Sequence, residues 1–129
     1  WCKHANYEEA THAPLIISVP GQKPGRSPAL VEFVDIYPTL ADVCGLPMHA
    51  WLEGTSFKPL VDNPNRPWKS AAFHLYPRGI PGQGRGMGRA IRTDRYRLVE
   101  WTVPGKEFSE CELYDLETDP GENVNRATQ

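Results

Sequence analysis

The second half of the chain is broken, again and again, by residues that end regular structure, and this limits its fold more than any other feature. SAAFHLYP reads as a strand and RGIPGQGRGMG as a glycine-rich surface loop. RAIRTDRYRLVEW then mixes Ala90, Arg92 and Arg95 with Ile91, Tyr96, Leu98 and Trp101. Thr93-Asp94 is a turn signal inside it, so it reads as two antiparallel strands. ELYDLETDPGENVN supplies one more strand and a polar exit stopped by proline. An antiparallel sheet is the expectation for this half.

The first half has a different pattern. Leu15 to Val19 is a continuous apolar run of branched residues ended by Pro20-Gly21, which predicts a strand covered on both faces. QKPGRSPA is a loop, and Leu30 to Val34 is a second short apolar stretch. In DIYPTLADVCGLP, Ile36, Leu40, Val43 and Cys44 have near-helical spacing. Asp35 suits the N-cap, Pro38 the first turn, and Gly45 a left-handed stop that Pro47 reinforces. A short helix over 36–44 follows. The fold class is therefore α/β: the end of a larger mixed-sheet domain over 1–65, then a small antiparallel subdomain over 66–129.

Composition excludes several classes. The chain has 129 residues, enough for one domain's core, and a formal charge of −2, so no global field selects nucleic acid or an anionic membrane. No apolar run approaches the roughly 20 residues that span a bilayer. Cys2, Cys44 and Cys111 lack C-x-x-C spacing and read as structural thiols rather than a disulfide framework or a zinc site. The loop Gly82 to Gly88 fits neither G-x-G-x-x-G nor the P-loop pattern. Six arginines between Arg78 and Arg97 suggest an anion-binding face, with solvated strand positions as the plain alternative. His12, His49 and His74 read as packed or hydrogen-bonded side chains, and Trp1 as a packing residue. Lys3 stands apart, because it precedes a predicted buried strand and ligand crevices of open α/β sheets lie at strand ends.

Several stretches, in order, resemble one family. WCKHANYEEATHAPLI is similar to the sulfatase segment W-x-K-x-x-x-Y/F-E/D-x-A-T-H/R-x-P-L-I. LVEFVDIYPTLADVCGLP resembles the sulfatase helix start V-D-I/L-x-P-T-L-x-x-x-x-G, which the wider alkaline phosphatase superfamily shares. LEGTSFKPL matches L-E/D-G-x-S-F/L-x-P-L. FHLYPR, GRAIRTDRYRLVEW and ELYDLETDPGENVN are similar to the C-terminal region of the iduronate-2-sulfatase-like branch.

The resemblance implies a sulfuric ester hydrolase acting on a sulfated sugar or glycosaminoglycan-type carbohydrate. It implies that Lys3 contacts the sulfate as a catalytic residue, and that His4, Tyr76, Arg78 and Arg92 border the sugar. Sulfatases also use a formylglycine made within C/S-x-P-x-R and a calcium ion. Ser18-Val19-Pro20-Gly21-Gln22 lacks the arginine, and the calcium-binding aspartates have no counterpart here. Both groups are thus expected in the rest of the sulfatase polypeptide, and this chain is expected to be a C-terminal part, inactive alone and poorly soluble. The family implies a periplasmic, secreted or lysosome-like compartment, without nucleic-acid or membrane partners. A polyanion-binding module and a phosphatase or phosphonate hydrolase of the same superfamily are the competing readings.

Overall fold

The computed structural model describes residues 3–128. In chain order the elements are α1 (Glu8–Thr11), a 3-10 turn (Phe33–Asp35), α2 (Ile36–Val43), α3 (Lys58–Asp62), β1 (Ala71–Ile80), β2 (Gly84–Thr93), β3 (Tyr96–Thr102) and β4 (Ser109–Asp115). The chain divides into two units: residues 15–70 form one, and residues 3–14 join 71–128 in the other.

The sheet unit is an antiparallel meander of four strands in the order β1-β2-β3-β4. The antiparallel expectation is borne out, and the Thr93-Asp94 signal lies at the β2–β3 turn. The glycine-rich segment differs from the expected loop. Its turn is confined to residues 81–83, and Gly84, Gly86 and Gly88 lie within β2, paired with Ile80, Arg78 and Tyr76. The reason is packing. Alternate residues of a strand share a face, and on this face a side chain would collide with what already fills it. A Cβ at Gly88 would lie 2.2 Å from Asn6 Nδ2 and 2.7 Å from the Trp101 ring, and one at Gly86 would lie 2.3 Å from Ile80 Cδ1. Gly88 leaves the room that Asn6 and Trp101 fill, and Gly86 the room that Ile80 fills, whereas Gly84 is left-handed at φ 102°. Around the Trp101 ring Ile80, Ala90, Val99 and Val103 form the core, flanked by Tyr7 and Phe108.

The other unit is built on α2. The helix over 36–44 expected from sequence runs Ile36–Val43 with Cys44 as its C-cap. Its stop is a Schellman motif: Gly45 is left-handed at φ 66°, Gly45 N–H donates to Asp42 O (3.2 Å), and Leu46 N–H donates to Ala41 O (2.8 Å). Asp35 sits at the N-cap, but its carboxylate does not cap α2. It accepts instead from Glu32 N–H (2.8 Å), Thr55 N–H (2.9 Å) and Lys69 Nζ (2.5 Å). Thr39 Oγ1 donates to Asp35 O (2.6 Å) and accepts from Phe57 N–H (2.9 Å). A Cβ on Gly54 would lie 1.9 Å from Val34 O. The D-I-Y-P-T and G-T-S-F stretches are therefore two halves of one hydrogen-bonded knot, which accounts for their residue types without any chemistry.

Leu15 to Val19 does not form the expected strand. No ladder includes it, and Ile16 is 91% exposed. A β-strand exists only through its pairing, and no segment among the described residues pairs with this one. Cys44 and Cys111, expected as structural thiols, are free and exposed. Cys2 and Trp1 lie outside the described residues.

Candidate functional site

Pairing places Tyr76, Arg78 and Arg92 on one face of the sheet, together with His74, Arg97, Trp101 and Glu112. Across this face runs the segment bearing Lys3 and His4. It is bound there by two clusters separated from it by most of the chain length.

The first cluster centres on Glu112, which is buried on β4. Its carboxylate accepts from Tyr7 Oη (2.7 Å), Arg78 (3.1 Å), Trp101 Nε1 (3.1 Å) and Tyr114 Oη (3.2 Å). Arg78 also donates to Tyr7 Oη (3.1 Å), and its guanidinium lies 3.7 Å from the Trp101 ring centroid. Burial, with the Glu112 hydrogen bond and charge beside it, pushes the Tyr7 phenol up to about 12.

The second cluster centres on Arg97, which is 2% exposed. Its guanidinium donates to Asn6 O (2.9 Å), to the Glu8 carboxylate and to Thr11 Oγ1 (3.0 Å). Its Nε forms an ion pair with Glu122 at 2.7 Å that lacks hydrogen-bond alignment. Arg92 adds two bonds to Glu8, at 3.0 and 3.2 Å. Burial opposes ionisation of Glu8, but the hydrogen bonds from Arg92 and Arg97 outweigh it and hold the carboxyl below its usual range. Glu122 is held above that range, because burial exceeds the help it receives from Glu8 N–H and Arg97.

Between the clusters Asn6 is fully buried and donates to Tyr76 O (3.2 Å). Two residues earlier His4 adopts a left-handed backbone, φ 60°, and its ring stacks on Tyr76 at 5.5 Å with 16° between planes. Lys3 and His4 are exposed at the end of this anchored stretch. Nearby, burial holds the His74 imidazole below the usual histidine range, and its Nε2 has no hydrogen-bond partner among the described residues.

The site residues named from sequence thus fall into two groups. Lys3, His4 and Tyr76 form an exposed cation beside a stacked ring pair. Arg78 and Arg92 direct their guanidinium groups at carboxylates of the same unit. Arg95 does likewise, in a two-pronged pair with Asp115 (2.9 and 2.7 Å), and Arg89 donates to Thr102 Oγ1 (2.9 Å). What sequence reading missed is the set Tyr7, Glu8, Arg97, Glu112 and Glu122. The Y-E pair stands within the quoted motif, but its partners lie some ninety to more than a hundred positions away and carry no local signal. Among the described residues no group of three His, Cys, Asp or Glu could hold a metal ion, and no helix is long and apolar enough to cross a membrane.

Similarity to known proteins places the chain in a class, the C-terminal part of a sulfatase. The chain belongs to the N-sulphoglucosamine sulphohydrolase C-terminal family, whose model matches residues 1–129. It is 32% identical to arylsulfatase K of Rattus norvegicus, over 98% of this chain and 23% of that protein. It is 30% identical to an N-acetylglucosamine-6-O-sulfatase of Bacteroides thetaiotaomicron, over 95% of this chain and 22% of that protein. Among solved structures it is similar to BT4656 in complex with its substrate D-glucosamine-2-N,6-O-disulfate, with a TM-score of 0.58 and 29% identity over 70% of this chain and 18% of that one. It is also similar to BT1596, a 2-O GAG sulfatase, with a TM-score of 0.57 and 27% identity over 74% and 20% of the two chains. The chain spans about a quarter of the length of the curated relatives it matches.

Proposed function

We propose that this chain completes the substrate side of a sulfuric ester hydrolase acting on sulfated amino sugars or glycosaminoglycans. The observation that supports it most directly is the Lys3-His4 stretch, exposed yet anchored from Asn6 onward, in a chain of the sulfatase family. Hydrolysis of a sulfate ester builds negative charge on oxygen, and an ammonium held in place offsets that charge without reorganising. Lys3 has this role. The stacked His4 and Tyr76 rings lie beside it and suit the face of a sugar ring. Arg78 and Arg92 serve this site by holding the segment to the sheet rather than by meeting the anion first.

The formylglycine nucleophile and a calcium ion belong, in this reading, to the rest of the polypeptide. The chemistry of the relatives' substrates favours glucosamine sulfates, and the strand motifs FHLYPR and IRTDRYR favour the iduronate-2-sulfatase-like branch. A secreted, periplasmic or lysosome-like location accords with such carbohydrates. The polyanion-binding alternative loses its basis, because the Arg-Gly stretch is a paired strand rather than a flexible loop.

The test uses the full polypeptide that carries this chain. Sulfate release from glucosamine 6-sulfate and from its 2-N,6-O-disulfate is expected, and Lys3→Ala should lower kcat by about 10²–10³-fold, the loss usual for one charge-stabilising donor. Undiminished turnover in Lys3→Ala refutes the role of Lys3, and absence of sulfate release from any sulfated saccharide refutes the reading as a whole.

A further inference from the structure

We infer that Glu122 and Arg97 are positioning residues for Lys3, so that the tail after β4 sets the geometry of a site at the other end of the chain. The inference rests on the reading that Lys3 faces the sulfate.

Four observations carry it. Arg97, on β3, directs its guanidinium contacts at residues 6–11 and at Glu122, so it joins the Lys3 segment to the tail. Glu122 accepts the Glu8 N–H at 2.7 Å, which fixes the start of α1 directly from that tail. Asn6, whose carbonyl accepts from Arg97, is three positions from Lys3. Three residues span at most about 10 Å, so this anchor limits where the Lys3 backbone can lie. Lastly, the only two non-glycine residues with left-handed backbone among those described are His4 and Glu122, at φ 60° and 53°. Such conformations persist where surrounding contacts impose them, and they gather at functional sites. Here they mark the two ends of one linkage.

The Glu122 strain is held locally. Gly121 precedes it, and Glu122 N–H donates to Asp119 O (3.1 Å). Asp119 in turn accepts from Asn123 Nδ2 (2.9 Å) and Val124 N–H (2.8 Å), closing a compact turn that presents the Glu122 carboxylate to Arg97. That turn lets one carboxylate reach both Glu8 N–H and Arg97.

The experiment is a double-mutant cycle on the full polypeptide, with glucosamine 6-sulfate as substrate and Lys3→Ala, Glu122→Gln and both together as variants. Gln keeps an acceptor for Glu8 N–H but sets a second donor against Arg97. If Glu122 acts through Lys3, Glu122→Gln lowers kcat about 10-fold alone, as misplacement of a charge-stabilising group does, and adds nothing in the Lys3→Ala background. A role in folding alone gives the same fold-loss in both backgrounds and overturns the inference, as does full activity in Glu122→Gln. Full activity in Lys3→Ala instead removes the underlying reading, and the inference with it, so the two failures are told apart. Should Glu122→Gln not fold, Arg97→Lys takes its place in the cycle. It keeps the charge, loses the fork, and is held to the same non-additivity.

Discussion

Gly88→Ala tests whether the sheet is shaped to receive the Lys3 segment. The added Cβ would sit 2.2 Å from Asn6 Nδ2 and 2.7 Å from two atoms of the Trp101 ring. Trp101 is a rigid, buried ring and Asn6 is enclosed, so neither has a free end that can swing away. Overpacking of this kind costs roughly 1–3 kcal/mol. Displacing Asn6 also breaks its bond to Tyr76 O, a further 0.5–1.5 kcal/mol or so. The segment should therefore lose about 1.5–4.5 kcal/mol, which corresponds to a roughly 10- to 1,600-fold larger open population. Native-state hydrogen exchange on the full polypeptide reads this directly, as lost protection at the amides of residues 6–8. Gly79→Ala, also in the sheet, is the control: its Cβ meets nothing within 4 Å, so protection there should stay within a few-fold. The reasoning is refuted if Gly88→Ala leaves residues 6–8 as protected as before, or if Gly79→Ala exposes them equally.

Two further outcomes follow from the same physical picture. Thr39→Val keeps the volume but strands the buried Phe57 N–H, costing about 1–3 kcal/mol; exchange at Phe57 should rise at least about fivefold, Thr39→Ser should restore it, and unchanged protection in the valine variant contradicts the knot. Asp115 is held down to about 2 from 3.8, first by the Arg95 hydrogen bonds, with burial opposing. A depressed carboxyl contributes stability that is present above its unfolded pKa and lost as pH falls through the folded one. Thermal midpoints of Asp115→Asn should accordingly fall less steeply than wild type between about pH 4 and pH 2, and an unchanged slope denies the pair its role.

Which structure could be read from residues alone depended on how far apart the partners lie. The helix over 36–44 was legible because its periodicity, its proline in the first turn and the glycine that ends it are all neighbours. The turn at Thr93-Asp94 and the strands beside it were legible for the same reason. The family, too, was legible, because its motifs are short and ordered along the chain. The glycines of β2 were not: a glycine run looks like a loop until Trp101 and Asn6 are seen to need the space. Leu15 to Val19 has the composition of a strand, but composition cannot supply a pairing partner.

The candidate site divides in the same way. Sequence alone determined that Lys3 and His4 stand in a sulfatase-like segment, and that Tyr76, Arg78 and Arg92 lie in the strands beyond. Only the tertiary structure decided which groups Tyr76, Arg78 and Arg92 meet. It turned Arg78 and Arg92 toward Glu112 and Glu8, set Tyr76 under His4, and brought Glu122 to Glu8 across 114 positions. Charges choose partners by distance in space, and the antiparallel meander set those distances, since its register puts β1, β2, β3 and β4 side chains on a shared face where the N-terminal segment lies.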